Sequence, residues 1–417
     1  KDVSEITNFP EMLDGRVKTL HPKIHAGLLA IRGNKEHEES LKQESISTID
    51  LVVVNFYPFE SVIKKDGIKF QEVIENIDIG GPTIVRAAAK NFQDVTVITS
   101  PSDYSEIYNQ ISDGELKITK EANYEFCKKA YSYVSKYDAA ISNHLGILNL
   151  DNSKNKIPDT LTLHYKKAYN LRYGENPHQE GSFFVNEDMK ESSIANSTQL
   201  QGKELSLNNI YDADSCLETV KEFKDNACVI VKHNNPCGVA EHQSLLKAYV
   251  DARDCDPISA FGGIVSCNFK LDKKLALELN KIFLEVIIAN GFDQKALKIL
   301  KLKKNLRLID ASNFEFDQIL KFNSINNSIL VQSEDNKIFY KKDFKVVSKR
   351  KPTKIQFNDL IFAFNVCRYV KSNAIVLAGN KSTLGIGSGQ PSRLDSCQIA
   401  INKMKKHTKT HKDIVAA

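Results

Sequence analysis

The sequence predicts an α/β protein of two domains, and three observations support the prediction. Its 417 residues suffice for two or three domains of ordinary size. Residues 1–150 alternate short β-branched runs with helical patterns, which is typical of a parallel sheet covered by helices. Residues 161–417 contain further apolar runs, each followed by a polar or Gly-rich turn. The polar stretch 151–160 between them is the predicted linker.

The periodicity of the first domain predicts its elements in order. Ile49–Val54 and Val95–Ile98 are short and β-branched, as expected of strands buried on both faces. Helical patterns extend over Ile68–Ile77, Pro82–Asn91 and Glu121–Leu150. The second of these helices is expected to open just after a Gly-Gly pair.

Two strand–turn blocks of the second domain resemble each other. Ala227–Val231 leads into the polar segment 232–238, whose Asn-Asn-Pro-Cys-Gly sequence is expected to break the strand. Asn373–Leu377 leads into a hairpin-like turn and the Gly-rich segment 384–390. Two related α/β subdomains would give this similarity, and so would chance in so short a pattern. The glycines of 384–390 lack the spacing of a dinucleotide-binding loop.

Composition and charge narrow the classes of function. Apolar residues make up 41% of the chain and charged residues 26%, which excludes a disordered tail, a collagen-like fibre and a small disulfide scaffold. The net charge of +5 is mild for a dedicated nucleic-acid binder. Eight scattered cysteines without a C-x-x-C pair indicate reduced thiols in the cytoplasm rather than a metal or redox site. No apolar run approaches the ~20 residues of a membrane span.

Two stretches of the first domain contain more charged and hydrogen-bonding side chains than folding requires. One contains Arg16, Lys18 and Thr19, which are donors suited to phosphate or to a developing oxyanion. The other contains Asn55 and Tyr57 and follows the first predicted strand, where open α/β sheets bind ligands. A loop with surface cations and an aromatic packing cluster are the respective structural alternatives.

A third stretch, Asp78-Ile-Gly80-Gly, opens a predicted helix. N–H groups at the start of a helix attract anions, and glycine lets the backbone approach a ligand closely. Arg86 and Lys90 are four residues apart and therefore share one helix face. A purely structural Gly-Gly turn is the alternative.

The catalytic candidates of the second domain are Lys232 and His233. Histidine exchanges protons near neutral pH. Successive strand residues point to opposite faces, so both side chains reach one substrate only if the strand breaks at this point. The stretch Arg172–Gln179 is dense in hydrogen-bonding side chains and is either a binding segment or a solvated loop.

Taken in order, these stretches resemble the PurH family of bifunctional purine biosynthesis proteins. The matching motifs are DGRVKTLHPKIHAG, VVNFYPF, IDIGGPTIVRAAAKN, LRYGENPHQ, VKHNNPCG, SAFGGIV, SNAIV and GIGSGQPSR. They follow the order of the family across nearly the whole chain, which makes the resemblance specific.

The resemblance implies a fold and two activities. Residues 1–150 would form a methylglyoxal-synthase-like IMP cyclohydrolase domain, and residues 161–417 an AICAR transformylase domain of two cytidine-deaminase-like α/β subdomains. The second domain would move a formyl group from the co-substrate 10-formyltetrahydrofolate to AICAR, and the first would close formyl-AICAR to IMP with loss of water. The resemblance further implies a cytoplasmic homodimer that acts on small molecules and requires no metal, nucleic acid or membrane.

The resemblance also implies roles for individual residues. Those implied to assist ring closure are Lys18, Tyr57, Asp78 and Lys90. Those implied to hold the substrate of that step are Arg16, Thr19, Asn55 and Gly80. In formyl transfer, His233 would help to remove the amine proton, while Lys232 and Asn373 would stabilise negative charge on the formyl oxygen. Substrate would be bound there by Arg172, Tyr173, Glu285 and Arg393.

The chain departs from the family pattern at both ends and at two internal positions. The family's N-terminal strand with its phosphate-binding segment, and its C-terminal Ser-Asp-Ala-Phe-Phe-type segment, are not in this sequence. The resemblance therefore predicts impaired activity of the 417-residue piece in both domains. Asn290 stands where the family is expected to have Pro, which would alter the loop near Glu285. Pro391 stands where the family tends to have another residue.

Three other functions stay open at the level of sequence. They are a lyase acting on a small phosphorylated compound, a catalytically degenerate purine-nucleotide sensor, and an RNA-binding regulatory protein. The last would use the basic stretches 295–307 and 403–412. A solvated helix face is the favoured interpretation of 295–307, because no aromatic residues interleave there for base stacking.

Overall fold

The chain forms two units, Lys1–His164 and Tyr165–Ala417. Its structure is a computed structural model that describes residues 1–112, 115–116, 118–187, 193–312, 320–335, 337, 339–407 and 413–417. The predicted linker, residues 151–160, lies within the first unit.

The first unit is mostly helical around a small sheet. Its elements are α1 (Val3–Thr7), α2 (Pro22–Leu29), α3 (Lys35–Gln43), β1 (Leu51–Val53), α4 (Phe59–Ile63), α5 (Phe70–Glu75), α6 (Gly80–Lys90), β2 (Thr96–Ile98), a 3₁₀ turn (Pro101–Asp103), α7 (Tyr104–Gln110), β3 (Ile111–Ser112), β4 (Glu115–Leu116) and α8 (Lys120–Ile147).

The parallel sheet predicted for this unit is confirmed. Strands β1 and β2 pair in parallel, with Leu51 opposite Thr96. In the hydrophobic core of this unit, β1 and β2 pack against one face of α6 and one face of α8. Val85 of α6 and Ala130 of α8 are among the buried residues. The predicted long helix is present as α8, whose 28 residues begin after the capping side chain of Thr119. Because both strands are parallel, their carboxyl ends lie at the same edge of the sheet.

Helix α6 begins earlier than predicted. It starts at Gly80, whereas the sequence placed its first turn at Pro82. The reason is that the Asp78 carboxylate accepts the Gly81 N–H at 2.8 Å, which satisfies a donor of the first turn. Proline needs no N–H partner and is tolerated in that turn.

The second unit contains the larger sheet. Its elements are β5 (Lys166–Leu171), β6 (Gly181–Val185), β7 (Thr198–Gln201), α9 (Leu207–Lys221), β8 (Ala227–Lys232), β9 (Asn235–Glu241), α10 (Leu245–Cys255), α11 (Pro257–Ala260), β10 (Ile264–Cys267), α12 (Lys273–Leu279), β11 (Val286–Ala289), α13 (Gln294–Leu300), β12 (Arg307–Asp310), β13 (Leu320–Ile325), β14 (Ser328–Ser333), a 3₁₀ turn (Lys341–Asp343), α14 (Lys354–Cys367), β15 (Ile375–Gly379), β16 (Ser382–Gly387), α15 (Arg393–His407) and β17 (Val415–Ala416).

Nine described strands form this mixed sheet in the order β17-β15-β16-β9-β8-β10-β11-β12-β7. Strands β10, β11 and β12 run parallel to one another, and the other neighbours are antiparallel. Strand β8 lies near the middle and is buried on both faces. Val229 and Val231 point into one hydrophobic core, while Cys228 and Ile230 point into the other. This two-sided burial explains the uninterrupted apolar run in the sequence.

The two blocks that resemble each other in sequence are equivalent in structure. Each is a helix, an antiparallel hairpin, a second helix and a strand that pairs with the first strand of the hairpin: α9-β8-β9-α10-β10, with the short α11 before β10, and α14-β15-β16-α15-β17. The first helix of each block begins with a capping box, at Ser206 and at Thr353. The second unit therefore contains two related α/β halves, one in each block, that share one continuous sheet.

Three sequence-based assignments in this unit were wrong in detail. Asn235 does not break the chain but begins β9, so the break is confined to His233 and Asn234. The basic stretch 295–307 is helical only as far as Leu300, and Arg307 is a buried residue of β12. The Gly-rich segment 384–390 is not a turn throughout, because Gly385 and Gly387 lie on β16. A Cβ on either glycine would lie about 2 Å from a backbone oxygen of α15, so the glycines allow this helix to pack closely on the strand.

Candidate active sites

The first candidate site surrounds the carboxylate of Asp78, between the end of β1 and the start of α6. Its Oδ2 atom accepts the Tyr57 N–H at 3.3 Å, and its Oδ1 atom accepts the Gly81 N–H at 2.8 Å. The Asp78 N–H donates to the hydroxyl oxygen of Tyr137 at 2.8 Å, and burial raises the pKa of that phenol. The structure thus brings Tyr57 and Asp78 together while the Tyr57 side chain stays exposed.

The loop that carries Arg16, Lys18 and Thr19 reaches the same region. A Cβ on Gly80 would lie 2.8 Å from the Thr19 hydroxyl oxygen, so these two residues are in direct contact. Arg16 forms an ion pair with Glu75, the last residue of α5. The Lys18 ammonium lies 3.0 Å from a carboxylate oxygen of Glu11, and the hydrogen bond between them raises the pKa of Lys18. The Lys18 side chain is therefore a cation at neutral pH.

Asn55 lies where the two parallel strands end. Its side-chain N–H donates to the Thr99 carbonyl oxygen at 3.1 Å, and its Oδ1 accepts the Tyr104 hydroxyl at 3.3 Å. Lys90 lies at the opposite end of α6 from Gly80, roughly 15 Å along the helix axis at 1.5 Å per residue. No hydrogen bond or ion pair joins Lys90 to the other candidates within the described part of the chain.

The second candidate site is the two-residue turn between β8 and β9. His233 and Asn234 both have left-handed backbone angles, with φ of 53° and 57°, as in the hairpin turns that match strand twist. Both N–H groups are accepted by the carboxylate of Asp212 on α9, at 3.1 and 2.7 Å. The His233 side chain is exposed, and the neighbouring Lys232 ammonium donates to the Phe261 carbonyl oxygen at 2.7 Å.

A segment of the second half meets this turn. The side-chain amide of Asn235 donates to the His233 carbonyl oxygen at 3.1 Å and accepts the Lys371 N–H at 3.2 Å. Two residues further on, the Asn373 amide donates to the carbonyl oxygens of Gln390 and Pro391 at 2.8 and 2.9 Å. Asn235 therefore joins the turn to the segment that carries Asn373.

Glu285 is linked to Lys232 through the loop after α11. The Glu285 N–H donates to the Gly263 carbonyl oxygen at 3.2 Å, and the Lys232 ammonium donates to Phe261 in the same loop. The Glu285 carboxylate pairs with the buried guanidinium of Arg307 at 2.8 Å. This pair holds the Glu285 carboxylate, which is about one-third exposed.

Neither a membrane span nor a metal cluster emerges from the described residues. No helix there has the length and apolar character to cross a bilayer. The same residues include no group of three His, Cys, Asp or Glu side chains placed to hold a metal ion. The eight cysteines are free thiols.

Sequence comparison assigns the family. The sequence model described as AICARFT/IMPCHase bienzyme matches residues 88–403, and that of the MGS-like domain matches residues 1–83. This chain belongs to the AICARFT/IMPCHase bienzyme family. The resemblance seen in the motifs is thereby confirmed, as is the α/β fold with an MGS-like N-terminal domain.

Three relatives, each named bifunctional purine biosynthesis protein PurH, are similar over most of their length. The one from Magnetococcus marinus is 47% identical over 96% of this chain and 76% of its own. Those from Caldicellulosiruptor saccharolyticus and Acetivibrio thermocellus are 47% and 45% identical over 97% and 98% of this chain, and 78% and 79% of their own. These matches favour an enzyme of purine biosynthesis over the lyase, sensor and RNA-binding alternatives.

Two predicted substrate-binding residues lie outside the described hydrogen-bond network of the His233 turn. Arg172 stacks on the ring of Tyr173 with 5.6 Å from its guanidinium carbon to the ring centroid, in the loop between β5 and β6. Arg393 is the exposed first residue of α15. Within the described residues, neither Arg172 nor Arg393 forms a hydrogen bond or ion pair with the His233 turn.

Sequence reasoning missed several residues that shape the two sites. Tyr137 supports Asp78, Asp212 holds the His233 turn, Asn235 links the halves, and Arg307 pairs with Glu285. Only one of them gave a usable signal. Asp212 is the sixth residue of α9 and Asp359 the sixth of α14, so alignment of the two halves would have exposed the pair.

Proposed function

We propose that the chain catalyses the last two steps of de novo purine biosynthesis, with formyl transfer in the second unit and ring closure in the first. The observation that carries this proposal is the His233 turn. There Asn235 joins His233 to the segment bearing Asn373, and the neighbouring Lys232 is held by Phe261, in a chain of the bienzyme family.

Formyl transfer needs a base and a donor to the formyl oxygen. The 5-amino nitrogen of AICAR attacks the formyl carbon of 10-formyltetrahydrofolate, the bond from that carbon to N10 breaks, and N10 gains a proton. The exposed imidazole of His233 takes the amine proton. The Lys232 ammonium and the Asn373 amide stabilise the oxygen as it becomes tetrahedral. Arg172, Tyr173, Glu285 and Arg393 bind the substrates.

Ring closure uses the Asp78 region of the first unit. The carboxamide nitrogen of formyl-AICAR attacks the formyl carbon, and the oxygen leaves as water. Lys18 is a cation whose ammonium stabilises charge on that oxygen. Tyr57 and Asp78 assist proton movement. The family resemblance gives Lys90 the same role, although no described hydrogen bond or ion pair joins it to the other two. The groups that hold the substrate are Arg16, Thr19, Asn55 and Gly80. The proposal places the cyclohydrolase in 1–150 and the transformylase in 161–417, with 151–160 as the linker.

We further propose that the enzyme is a cytoplasmic homodimer that requires no metal. In such a dimer, Arg172 and Arg393 of one copy would contact the substrate bound at the His233 turn of the other copy. The free thiols are consistent with a reducing compartment. Light scattering of the purified protein tests the dimer, and full activity after dialysis against a chelator tests the metal-free reaction.

The test of the proposed function is a time course with AICAR and 10-formyltetrahydrofolate. The complete encoded polypeptide is mixed with both, and the products are separated by chromatography. The proposal predicts that formyl-AICAR appears first and IMP follows. Formyl-AICAR without IMP would restrict the function to the second unit, and the absence of both products would refute the proposal.

A further inference from the structure

Asp212 holds the backbone that carries His233. Its two carboxylate oxygens accept the N–H groups of His233 and Asn234 at 3.1 and 2.7 Å. Both residues have a positive φ, which residues other than glycine rarely adopt, so the turn depends on such external support. Asp212 belongs to α9 and is brought to the turn by the packing of that helix on β8.

The second half of the unit repeats this clamped turn at Asn380 and Lys381, neither of which is a catalytic candidate. Asp359, at the equivalent position of α14, accepts the N–H groups of Asn380 and Lys381 at 3.0 and 2.7 Å. These turn residues also have a positive φ, of 52° and 53°. An aspartate that clamps the turn is thus a feature of both halves, and only in the first half does the clamped turn carry a histidine.

Lys232 and His233 are fixed by different means. The Lys232 ammonium is held by its hydrogen bond to the Phe261 carbonyl oxygen at 2.7 Å. The His233 imidazole has no hydrogen-bond partner among the described residues, and its side chain is exposed. The position of the imidazole therefore follows from the backbone of the turn, which Asp212 sets.

We propose that Asp212 is a positioning residue for formyl transfer: by clamping the turn it fixes the His233 imidazole relative to Lys232. This inference rests on the proposed function. Asp212→Asn keeps the size of the side chain but turns an NH₂ group toward one of the two N–H donors, which loosens the clamp. Misplacement of a reacting group by about 1 Å costs up to ~100-fold in rate.

The test is a double-mutant cycle on the complete polypeptide. Formyl transfer is measured for Asp212→Asn, His233→Ala and the double variant, with ring closure of supplied formyl-AICAR as an internal measure of folded enzyme. We expect Asp212→Asn to lower kcat by about 10- to 100-fold, with KM for AICAR little changed. In the His233→Ala background, the same substitution is expected to change kcat by less than about twofold, because it acts through the missing imidazole.

The matched control is Asp359→Asn, which loosens the same clamp on the turn without a histidine. It is expected to lower the melting temperature but to leave kcat for formyl transfer per folded chain unchanged. An equal loss from Asp212→Asn in both His233 backgrounds, no loss at all, or a similar loss in Asp359→Asn would overturn the inference. Full formyl transfer by His233→Ala itself would instead show that the proposed role of His233 is wrong.

Discussion

Asp78 holds Tyr57 in place: its Oδ2 atom accepts the Tyr57 N–H at 3.3 Å while its Oδ1 atom accepts the Gly81 N–H at 2.8 Å. One carboxylate therefore joins the segment after β1 to the first turn of α6. Any change that displaces Asp78 disturbs both segments, and with them the candidate site for ring closure.

Gly81→Ala is expected to displace Asp78. A Cβ at this position would lie 2.6 Å from Asp78 Oδ2 and 2.9 Å from the ring of Phe56, so the carboxylate must move. We expect ring closure to fall by about 10- to 100-fold, while formyl transfer, which we place in the other unit, stays unchanged. The measurement is the initial rate of IMP formation from formyl-AICAR.

Gly33→Ala is the control for this substitution. Its Cβ would meet no atom within 4 Å, although φ is 81°, so it adds backbone strain without touching the site. We expect lower stability and normal ring closure. An equal loss of ring closure in both variants would contradict the role given to Asp78.

Lys232→Met is expected to lower formyl transfer by about 10²- to 10³-fold, the usual effect of removing a donor to a developing oxyanion. The matched control is Lys303→Met in the same unit. The Lys303 ammonium also donates to a backbone carbonyl oxygen, that of Ile282 at 2.7 Å, and desolvation lowers its pKa. We expect normal formyl transfer by Lys303→Met. Equal losses would mean that Lys232 acts through stability alone.

Arg307→Met is expected to destabilise the second unit. The Arg307 guanidinium is buried and its partner Glu285 is about one-third exposed, so the unpaired carboxylate keeps some hydration. We expect a loss of about 1–3 kcal/mol in the free energy of unfolding, below the cost for a fully buried pair. Urea denaturation measures it. The exposed pair of Lys166 and Glu187 is the control, for which Lys166→Met should cost at most ~0.5 kcal/mol.

The ion pair of Asp256 and Lys403 predicts a dependence of stability on pH. Burial raises the pKa of Asp256, but the Lys403 ammonium at 2.8 Å and hydrogen bonds from Ser259 outweigh it, so the pKa lies below its ordinary value. The folded state then binds the proton less tightly than the unfolded state, whose carboxyl has a pKa of about 3.9. The pair therefore stabilises the fold above that value and loses its effect as the pH falls through the lowered one.

Lys403→Met tests this sign. It is expected to reduce the free energy of unfolding at pH 7 and to reduce the loss of stability on acidification, because Asp256 loses the partner that lowers its pKa. Urea denaturation at pH 7, 4 and 3 provides the comparison, because the pair loses its effect only below a pH of about 3.9. Parallel pH profiles for the two proteins would contradict the assignment.

The sequence predicted the elements whose burial is simple. Strand β8 was identified because both of its faces are covered, which leaves an unbroken apolar run. Helix α8 was identified because a single long helical pattern contains no proline. The start of β9 was missed because Asn235-Pro236 is typical of a turn, yet the proline lies at a register shift of the hairpin, where its missing N–H is tolerated.

The parts of the sites that the sequence did not predict depend on contacts between distant segments. From the sequence, Arg307 was grouped with the other cations of the basic stretch 295–307. In the structure it is buried and pairs with Glu285, 22 residues away. Asn235 and Lys371 are 136 residues apart, and no local pattern indicates that they meet. The catalytic candidates, by contrast, lie in local motifs at strand and helix ends, where polar residues stand out from apolar surroundings.

The most direct test of the account is a pair of variants assayed for both half reactions. Asp78→Asn and His233→Ala are prepared in the complete polypeptide, and each is given AICAR with 10-formyltetrahydrofolate or formyl-AICAR alone. We predict that Asp78→Asn accumulates formyl-AICAR without IMP, while His233→Ala makes no formyl-AICAR but closes the supplied compound to IMP. Loss of both reactions in either folded variant, or of neither, would contradict the assignment of one reaction to each unit.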